Sequence, residues 1–521
     1  MLGKDSEDNK AFCGFCQILS IRFRIRLLTT TNNDDLVGMI REHCVLVTPN
    51  DLCHKLLDEF GHQIVSAIIV VLRTHADVCG QFVLGCTQDK SQINHLWNLQ
   101  LPDENNKIEE KKEYNVLHLT DPHIDMDYAE GSEADCQTRQ TLGQILLCCR
   151  QDNSSLSNEI KMPAGKWGMP MHCDPPYRLF ESALDYIRQN ISRIDYIILT
   201  GDYDVHTIWD GDYKRVVERF INTTETIKNF FPNTPLYVTI GNHEGDPSDS
   251  FPSKRSAILT NSSTNARDEV YKALKTIMEP LLPENSSSSI LETGSYSIKP
   301  FPGLKLIFIN NNYCSDLNFL IYTDLVDPDG VIQWLIEELT DSEKNQEKVH
   351  IIGHIPPVGT CLRGWANMFL KTVRRFSNTI EGELYGHTHH DQFTVYRDGS
   401  KPFGSAFVSP SFSTFPGQNP AFRTYKMNEE FKIEDIETYS ADIMKANLLG
   451  TQPVWFQEYS FKKMYDLPDL DLSTLHNLTK ILSNPFYFER YEYLYWKNWR
   501  SMCSTTGCRN QIRSQLTLNI K

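Results

Sequence analysis

The segment Val116-Leu-His-Leu-Thr-Asp-Pro-His123 joins a short apolar stretch directly to an aspartate and a histidine. Four further polar blocks occur along the chain, and three of them also come directly after an apolar stretch. The four blocks are Gly201-Asp202, Gly241-Asn242-His243-Glu244, Gly353-His354 and Gly386-His387-Thr-His389. Short apolar strands that alternate with helical stretches are typical of an α/β domain, in which active sites collect at the carboxyl ends of the strands.

The five blocks together offer carboxylate, amide and imidazole groups, a combination that suits bound metal ions. The seven candidate ligands are Asp121, His123, Asp202, Asn242, His354, His387 and His389. Oxygen and nitrogen donors without a thiolate favour zinc, manganese or iron. A glycine before most of these residues lets the backbone turn sharply and approach an ion closely. We therefore expect two metal ions that share one bridging carboxylate.

The composition, the net charge and the length of the apolar runs limit the classes of protein to which the chain can belong. The chain has 521 residues, of which 40% are hydrophobic and 23% charged, as in a globular protein of several domains. Its 51 lysine and arginine residues face 67 acidic ones, for a net charge of −16. Such an acidic chain repels a phosphate backbone, so the composition argues against nucleic-acid binding. The longest apolar run, Ile64 to Leu72, is too short to cross a bilayer.

The cysteines and the glycosylation signals indicate an oxidising compartment. Fourteen cysteines are many for a cytosolic enzyme. Six Asn-X-Ser/Thr triplets begin at Asn153, Asn190, Asn222, Asn261, Asn285 and Asn477. The first residues, Met1-Leu-Gly-Lys-Asp-Ser, contain no apolar signal region. We expect a lysosomal or secreted protein whose natural chain begins before Met1.

Residues 11–86 read as amphipathic helices that six cysteines hold together. In a helical hairpin bundle whose ends meet, the expected pairs are Cys13–Cys86, Cys16–Cys79 and Cys44–Cys53. A redox role for Cys13-Gly-Phe-Cys16 would need a βαβ context, and a zinc knuckle would need a second close pair. Neither is visible in the sequence, so structural disulfides are favoured.

Composition divides the rest of the chain into three parts. Residues 87–113 are polar and charged, which indicates a linker. Residues 114–430 carry the alternating strands and the five polar blocks. Residues 431–521 are rich in tyrosine, tryptophan and phenylalanine, and we expect them to form helices packed on the domain before them.

The order of the polar blocks resembles the calcineurin-like metallophosphoesterase superfamily and, within it, the acid sphingomyelinases. The resemblance rests on Thr120-Asp-Pro-His-Ile-Asp, Thr200-Gly-Asp with His206 and Trp209, Ile240-Gly-Asn-His-Glu, Val349-His-Ile-Ile-Gly-His-Ile-Pro-Pro and Tyr385-Gly-His-Thr-His. It implies a mixed fold class: a small all-α domain, then an α/β domain of two packed mixed sheets flanked by helices, then a helical C-terminal region. It also implies hydrolysis of sphingomyelin to ceramide and phosphocholine at acidic pH, by a hydroxide that two zinc ions activate.

The same resemblance implies roles for individual residues. Asp121, His123 and His389 would hold one zinc ion, and Asn242, His354 and His387 the other, with Asp202 between them. His206 and His243 would stand near the leaving-group oxygen, where a protonated imidazole is a fitting acid. The implied disulfides are Cys136–Cys148, Cys149–Cys173, Cys314–Cys361 and Cys503–Cys508.

The cysteine pattern of residues 11–86 resembles the saposin family. This resemblance implies a small helical domain that engages a sphingolipid membrane surface. Arg22, Arg24 and Arg26 could meet anionic headgroups or form a solvated helix face, and the sequence leaves both interpretations open. No protein partner is predicted.

Two other functions compete with this hypothesis. A related secreted phosphodiesterase could act on nucleotides or other soluble phosphodiesters, although the N-terminal helical region argues against it. A lipid-presenting protein with an inactive phosphoesterase fold would be expected to have lost ligands, and every expected ligand is present. A purple acid phosphatase is excluded because Val205 stands where its iron-binding tyrosine would be.

Overall fold

The computed structural model describes residues 17–18, 20–26, 32–44, 50–74, 79, 113–136, 147–151, 160–283, 287–497, 503 and 505–520. The expected linker, residues 87–113, lies outside this set except for its last residue. None of the described helices is long and apolar enough to cross a membrane.

The strands are β1 Tyr114–Leu119, β2 Tyr196–Leu199, β3 Leu236–Val238, β4 Tyr296–Phe301, β5 Leu304–Phe308, β6 Lys348–Ile352, β7 Ile380–Tyr385, β8 Gln392–Asp398, β9 Lys401–Val408, β10 Ala421–Met427, β11 Ile433–Ala441, β12 Trp455–Ser460 and β13 Thr517–Asn519. The helices are α1 Asn33–Cys44, α2 Asn50–Thr74, α3 Tyr177–Asn190, α4 Tyr213–Phe230, α5 Lys254–Thr260, α6 Asn265–Met278, α7 Ser288–Thr293, α8 Val331–Lys344, α9 Arg363–Arg375, α10 Ile443–Leu449, α11 Phe461–Tyr465, α12 Leu472–Leu482, α13 Pro485–Tyr495 and α14 Thr506–Gln515.

Two mixed sheets form the centre of the molecule, which confirms the expected architecture. The first sheet has the strand order β12-β11-β10-β1-β2-β3, and the second has the order β13-β8-β9-β7-β6-β5-β4. Strands β1, β2 and β3 run parallel to one another, as do β5, β6 and β7. The carboxyl ends of each parallel group therefore lie at one edge of its sheet.

The apolar stretches of the sequence form these parallel strands because their side chains are buried on both faces. All four residues of β2 and all five of β5 are buried. Helices cover the sheets with amphipathic faces. In α3, for example, the buried residues recur at helical spacing: Leu179, Phe180, Ala183, Leu184 and Ile187.

The N-terminal region is helical, as expected, and it packs on the domain that contains the two sheets. The side chains of Leu36, Leu57 and Val65 share an apolar cluster with Tyr322, which belongs to the segment after β5. Of the six cysteines in residues 11–86, Cys53 and Cys79 are disulfide-bonded. Their expected partners, and the whole of the Cys13–Cys86 pair, lie outside the residues whose side chains are described.

The C-terminal part contains more than the expected helices. Strands β11 and β12 extend the first sheet, and β13 pairs with β8 at the edge of the second. Residue 430 is therefore not the boundary of a separate layer, because both sheets continue beyond it. The sequence of β12, Trp455-Phe-Gln-Glu-Tyr-Ser460, contains three aromatic residues, which suit a strand as well as a packed helix, and its pairing with β11 shows that it is a strand.

The four disulfides expected after residue 113 are all present. They are Cys136–Cys148, Cys149–Cys173, Cys314–Cys361 and Cys503–Cys508. Four of the six glycosylation acceptors lie in the described part of the chain, and all four are exposed: Asn190, Asn222, Asn261 and Asn477.

Candidate metal centre

All seven candidate ligands lie in loops that begin at the carboxyl ends of parallel strands. Asp121 and His123 follow β1, Asp202 follows β2, and Asn242 follows β3 in the first sheet. His354 follows β6, and His387 and His389 follow β7 in the second sheet. The two sheets thus deliver their ligands to one shared place, although the blocks are far apart in sequence.

The backbone at this place is unusual. Five of the seven candidate ligands are non-glycine residues with positive φ: Asp121, His123, Asp202, His387 and His389. A positive φ at a residue other than glycine costs free energy, so this conformation persists only where surrounding contacts hold it. Such residues are found most often at functional sites. Two glycines make room for the carboxylates. A Cβ atom at Gly241 would collide with Asp202, and one at Gly386 would collide with Thr120 and Asp121.

The first cluster contains Asp121, His123, Asp202 and His389, all buried. The Nε2 atoms of His123 and His389 are 3.2 Å apart. Asp202 Oδ2 lies 3.4 Å from His123 Nε2, and Asp121 Oδ1 lies 3.6 Å from His389 Nε2. Four donors about 2.0–2.2 Å from one ion in a tetrahedron would be about 3.3–3.6 Å from each other, so these spacings fit a single ion.

The second cluster contains Asp202, Asn242, His354 and His387. Asn242 Oδ1 lies 2.9 Å from His354 Nε2 and 2.8 Å from His387 Nδ1. Asp202 Oδ2 lies 3.1 Å from His354 Nε2. The same carboxylate oxygen is therefore close to both clusters, which is the position of a bridging ligand.

The hydrogen bonds behind the first cluster show that it suits a cation. His123 Nδ1 contacts the carbonyl oxygen of Asp204, and His389 Nδ1 contacts that of Phe415 at 2.6 Å. A carbonyl oxygen only accepts, so each Nδ1 carries the hydrogen. The Nε2 lone pairs of two neutral rings then face each other at 3.2 Å, an arrangement that repels unless a cation lies between them.

Electrostatics leads to the same conclusion. Burial lowers the pKa of His123 to about 4 and the pKa of His389 and His387 to about 3, so these rings are neutral, as metal ligands must be. Burial also opposes protonation of His354, but Asp202 and Asp121 outweigh it and raise its pKa to about 9. The negative field that draws a proton to His354 draws a metal ion in the same way.

His206 and His243 stand beside this centre. Their ring centroids lie 4.0 Å and 4.6 Å from that of His123. His206 Nδ1 contacts Asp174 Oδ1 at 2.9 Å, and its ring stacks on Phe415. His243 Nδ1 contacts the carbonyl oxygen of Val205 at 3.2 Å.

The two histidines differ in their electrostatic surroundings. Burial lowers the pKa of His206 well below its usual value, and the neighbouring His243 and His389 lower it further. Burial opposes protonation of His243 as well, but the carboxylates around it, Asp202 first, raise its pKa. His243 is thus the better proton carrier of the two at mildly acidic pH.

Three carboxylates that support the centre were not recognised from the sequence. Asp174 orients His206, and Asp249 accepts a hydrogen bond from Asn242 Nδ2 at 3.3 Å. Glu244 accepts from the backbone N–H groups of Gly241, Asp202 and Tyr203. A signal existed for Asp174, which lies between Cys173 and two prolines, but nothing near Asp249 marks it as part of the site.

Comparison with known proteins gives concordant results. Residues 114–391 match the family model described as calcineurin-like phosphoesterase. Sphingomyelin phosphodiesterase 2 of Caenorhabditis elegans is 34% identical and aligns with 95% of this chain and 84% of its own length. The sphingomyelin phosphodiesterase of Homo sapiens is 31% identical, over 93% of this chain and 77% of its own. A cyclic GMP-AMP phosphodiesterase of Homo sapiens is 30% identical, and the alignment covers 73% of this chain and 82% of that protein.

Proposed function

This chain belongs to the calcineurin-like phosphoesterase family, and we propose that it is a zinc-dependent phosphodiesterase that hydrolyses sphingomyelin to ceramide and phosphocholine. The observation that carries the proposal is the pair of clusters that share Asp202 Oδ2, because it provides a site for two metal ions at the position where the family's polar blocks converge.

Asp121, His123 and His389 would hold one ion and Asn242, His354 and His387 the other, with Asp202 bridging them. Imidazole, carboxylate and amide donors without a thiolate suit zinc, and the donor spacings of the first cluster are close to those of a tetrahedral site. When bound, two zinc ions supply Lewis acidity that lowers the pKa of a water molecule and neutralises charge on the phosphoryl oxygens.

The protein's own groups would complete the reaction. Ceramide leaves as an alkoxide unless a proton reaches its oxygen as the P–O bond breaks. His243 is placed to donate that proton: it lies next to the clusters, and its Nδ1 is held by Val205, which leaves Nε2 for the substrate. His206, fixed by two hydrogen bonds to Asp174, would orient the substrate beside it.

The N-terminal helices would present the membrane-bound substrate. Three apolar side chains at helical spacing, Ile18, Ile21 and Ile25, are 57–59% exposed, which is costly in water and favourable at a lipid surface. The helical region also borders the site. A Cβ atom at Gly211 would collide with both Glu59 of α2 and Asp246, which follows the block containing Asn242. We accordingly propose a sphingolipid membrane surface as its partner.

The lysosome or the extracellular space is the proposed location. Disulfides persist in such compartments, and the four described glycosylation acceptors are exposed, as acceptors that carry a glycan must be.

The test is phosphocholine release from sphingomyelin liposomes at pH 5, with and without a zinc chelator. Release that the chelator abolishes and added zinc restores is the expected result. If the protein cleaves cyclic GMP-AMP or a soluble aryl phosphodiester but releases no phosphocholine from the liposomes, the proposed substrate is wrong and the proposed metal centre stands. Activity that persists after all metal has been removed would overturn the centre itself.

A further inference from the structure

The loop between β7 and β8, residues 386–391, carries two of the proposed ligands in a strained backbone. His387 has φ +71° and His389 has φ +64°. A residue other than glycine keeps a left-handed backbone conformation only if its neighbours hold it there. Strands β7 and β8 fix the two ends of the loop, so the side chains between them must be held by contacts of their own.

Several contacts hold His389 itself. Its Nδ1 donates to the carbonyl oxygen of Phe415, and its own carbonyl oxygen accepts from Gln418 Nε2 at 2.6 Å and from the N–H of Ser411 at 3.2 Å. These three partners all lie in the segment between β9 and β10. They hold His389 itself, and none of them involves the last two residues of the loop, His390 and Asp391.

The end of the loop is anchored by a buried network of charges. Asp391 accepts hydrogen bonds from Lys497 Nζ and from the Tyr459 hydroxyl, both at 2.7 Å, and it also pairs with Arg423. The side chains of Lys497 and Arg423 are at most 1% exposed. Lys497 Nζ also donates to Glu458 Oε2 at 2.9 Å, so the two cations and two carboxylates balance.

The C-terminal segment makes a second contact with the same loop. The ring of His390 stacks on Tyr495 with centroids 4.3 Å apart and meets Trp496 edge-on at 4.5 Å. His390 and Asp391, which follow the ligand His389, are therefore both held by residues 495–497, at the end of α13 and directly after it.

We propose that Lys497 is a positioning residue for the metal centre: through Asp391 it clamps the end of the loop 386–391 and so holds His389 in the geometry that binds an ion. The inference rests on the proposed metal centre. The C-terminal segment, for which the sequence indicates no ligand or catalytic residue, would thereby affect the affinity for the metal ion through Asp391. Residues that orient a metal ligand typically contribute 10- to 100-fold to affinity.

The test compares Lys497→Met with a matched control, Arg375→Met. Arg375, the last residue of α9, forms a largely buried pair with Glu343 of α8, and neither residue is one of the proposed site residues. Both full-length variants are dialysed against buffered zinc at graded concentrations, and bound zinc is measured by mass spectrometry. Activity is measured at the same concentrations. We expect Lys497→Met to need at least tenfold more free zinc to fill one of its two sites, and high zinc to restore most of its turnover.

The control should lose thermal stability without any change in zinc dependence. If Lys497→Met behaves like the control, its role is structural only and the proposal is wrong. Should Lys497→Met fail to fold, the double variant Lys497→Met/Glu458→Gln also removes the negative charge of Glu458, which would otherwise have lost its partner. A folded double variant whose zinc dependence matches that of the unsubstituted protein overturns the proposal. An unsubstituted protein that binds no zinc overturns the proposed function instead.

Discussion

The side-chain amide of Asn242 donates to the carboxylate of Asp249, and this hydrogen bond turns Asn242 Oδ1 toward His354 and His387. Asp249 is itself held by the hydroxyl of Ser315 at 2.8 Å. An amide that could rotate freely would present its NH2 group to the metal half of the time. Asp249 therefore decides which end of Asn242 faces the second cluster.

Replacing Asp249 with alanine should weaken the second metal site alone. We expect zinc affinity at that site to fall about 10- to 100-fold, the usual effect of removing the partner of a ligand. Calorimetric titration of the metal-free protein with zinc measures this affinity. Ser315→Ala, which only loosens Asp249, should have a smaller effect in the same direction. Unchanged affinity in Asp249→Ala would show that Asn242 does not depend on this contact.

Asp202→Asn should disturb both metal sites. One of its oxygens approaches His123 and His354 together, and an amide is a much weaker bridging ligand than a carboxylate. We expect metal content after dialysis to fall from two ions per chain to below one. His387→Ala, which removes a ligand from the second cluster only, should retain about one ion. Equal metal content in the two variants would contradict the shared position of Asp202.

His243→Ala should separate proton donation from metal binding. The side chain touches the carbonyl of Val205 and is not needed to complete either cluster. We expect metal content to stay at the level of the unsubstituted protein while turnover of sphingomyelin falls about 10²- to 10⁴-fold. A substrate with a better leaving group, such as a nitrophenyl phosphodiester, should lose much less. If metal is lost together with activity, His243 is a structural residue and not an acid.

The sequence predicted the parts of the site that are local and missed those that depend on packing. The strands before Asp121, Asp202, Asn242 and His354 are apolar runs that end in polar residues, a pattern visible in any one segment. The part played by Lys497 depends on which strand and loop its segment packs against, and no local pattern encodes that contact. For the same reason the sequence predicts helices where β11, β12 and β13 lie.

The exposed isoleucines Ile18, Ile21 and Ile25, which lie in the helical residues before α1, should matter for membranes only. In the variant Ile21→Ser/Ile25→Ser we expect sphingomyelin turnover on liposomes to fall about tenfold or more, because each buried isoleucine contributes about 1–3 kcal/mol of apolar transfer energy. Cleavage of a soluble phosphodiester should be unchanged. Leu448→Ser/Leu449→Ser provides the control, since these leucines of α10 are also exposed. A similar loss on both substrates would refute the lipid-presenting role.

Glu383 should make the protein more stable in acid. Burial raises its pKa to about 8, although Tyr385 and Tyr396 donate to its carboxylate and lower it in part. Between the usual value of 4.5 and about 8 the folded state holds a proton that the unfolded state releases, so stability falls as pH rises through this range.

Glu383→Gln keeps the acceptor oxygen and cannot titrate. We therefore expect the difference in unfolding free energy between pH 5 and pH 8 to shrink by on the order of 3–5 kcal/mol. Urea denaturation at both pH values measures this difference. Glu337→Gln, on the exposed face of α8, should leave it unchanged. A Glu383→Gln protein with the same pH dependence as the unsubstituted chain would show that Glu383 is already ionised at neutral pH.

The pairing of β1 with β10 has a consequence for biosynthesis. Tyr114 of β1 pairs with Met427 of β10. After β1 has been synthesised, roughly 300 further residues must therefore leave the ribosome before β1 can pair with β10. At about 5–20 residues per second, the nascent chain exposes an open apolar edge for on the order of tens of seconds. Chaperones have to shield that edge. Substitutions in β10 should therefore reduce the yield of folded protein before they reduce the activity of the molecules that do fold.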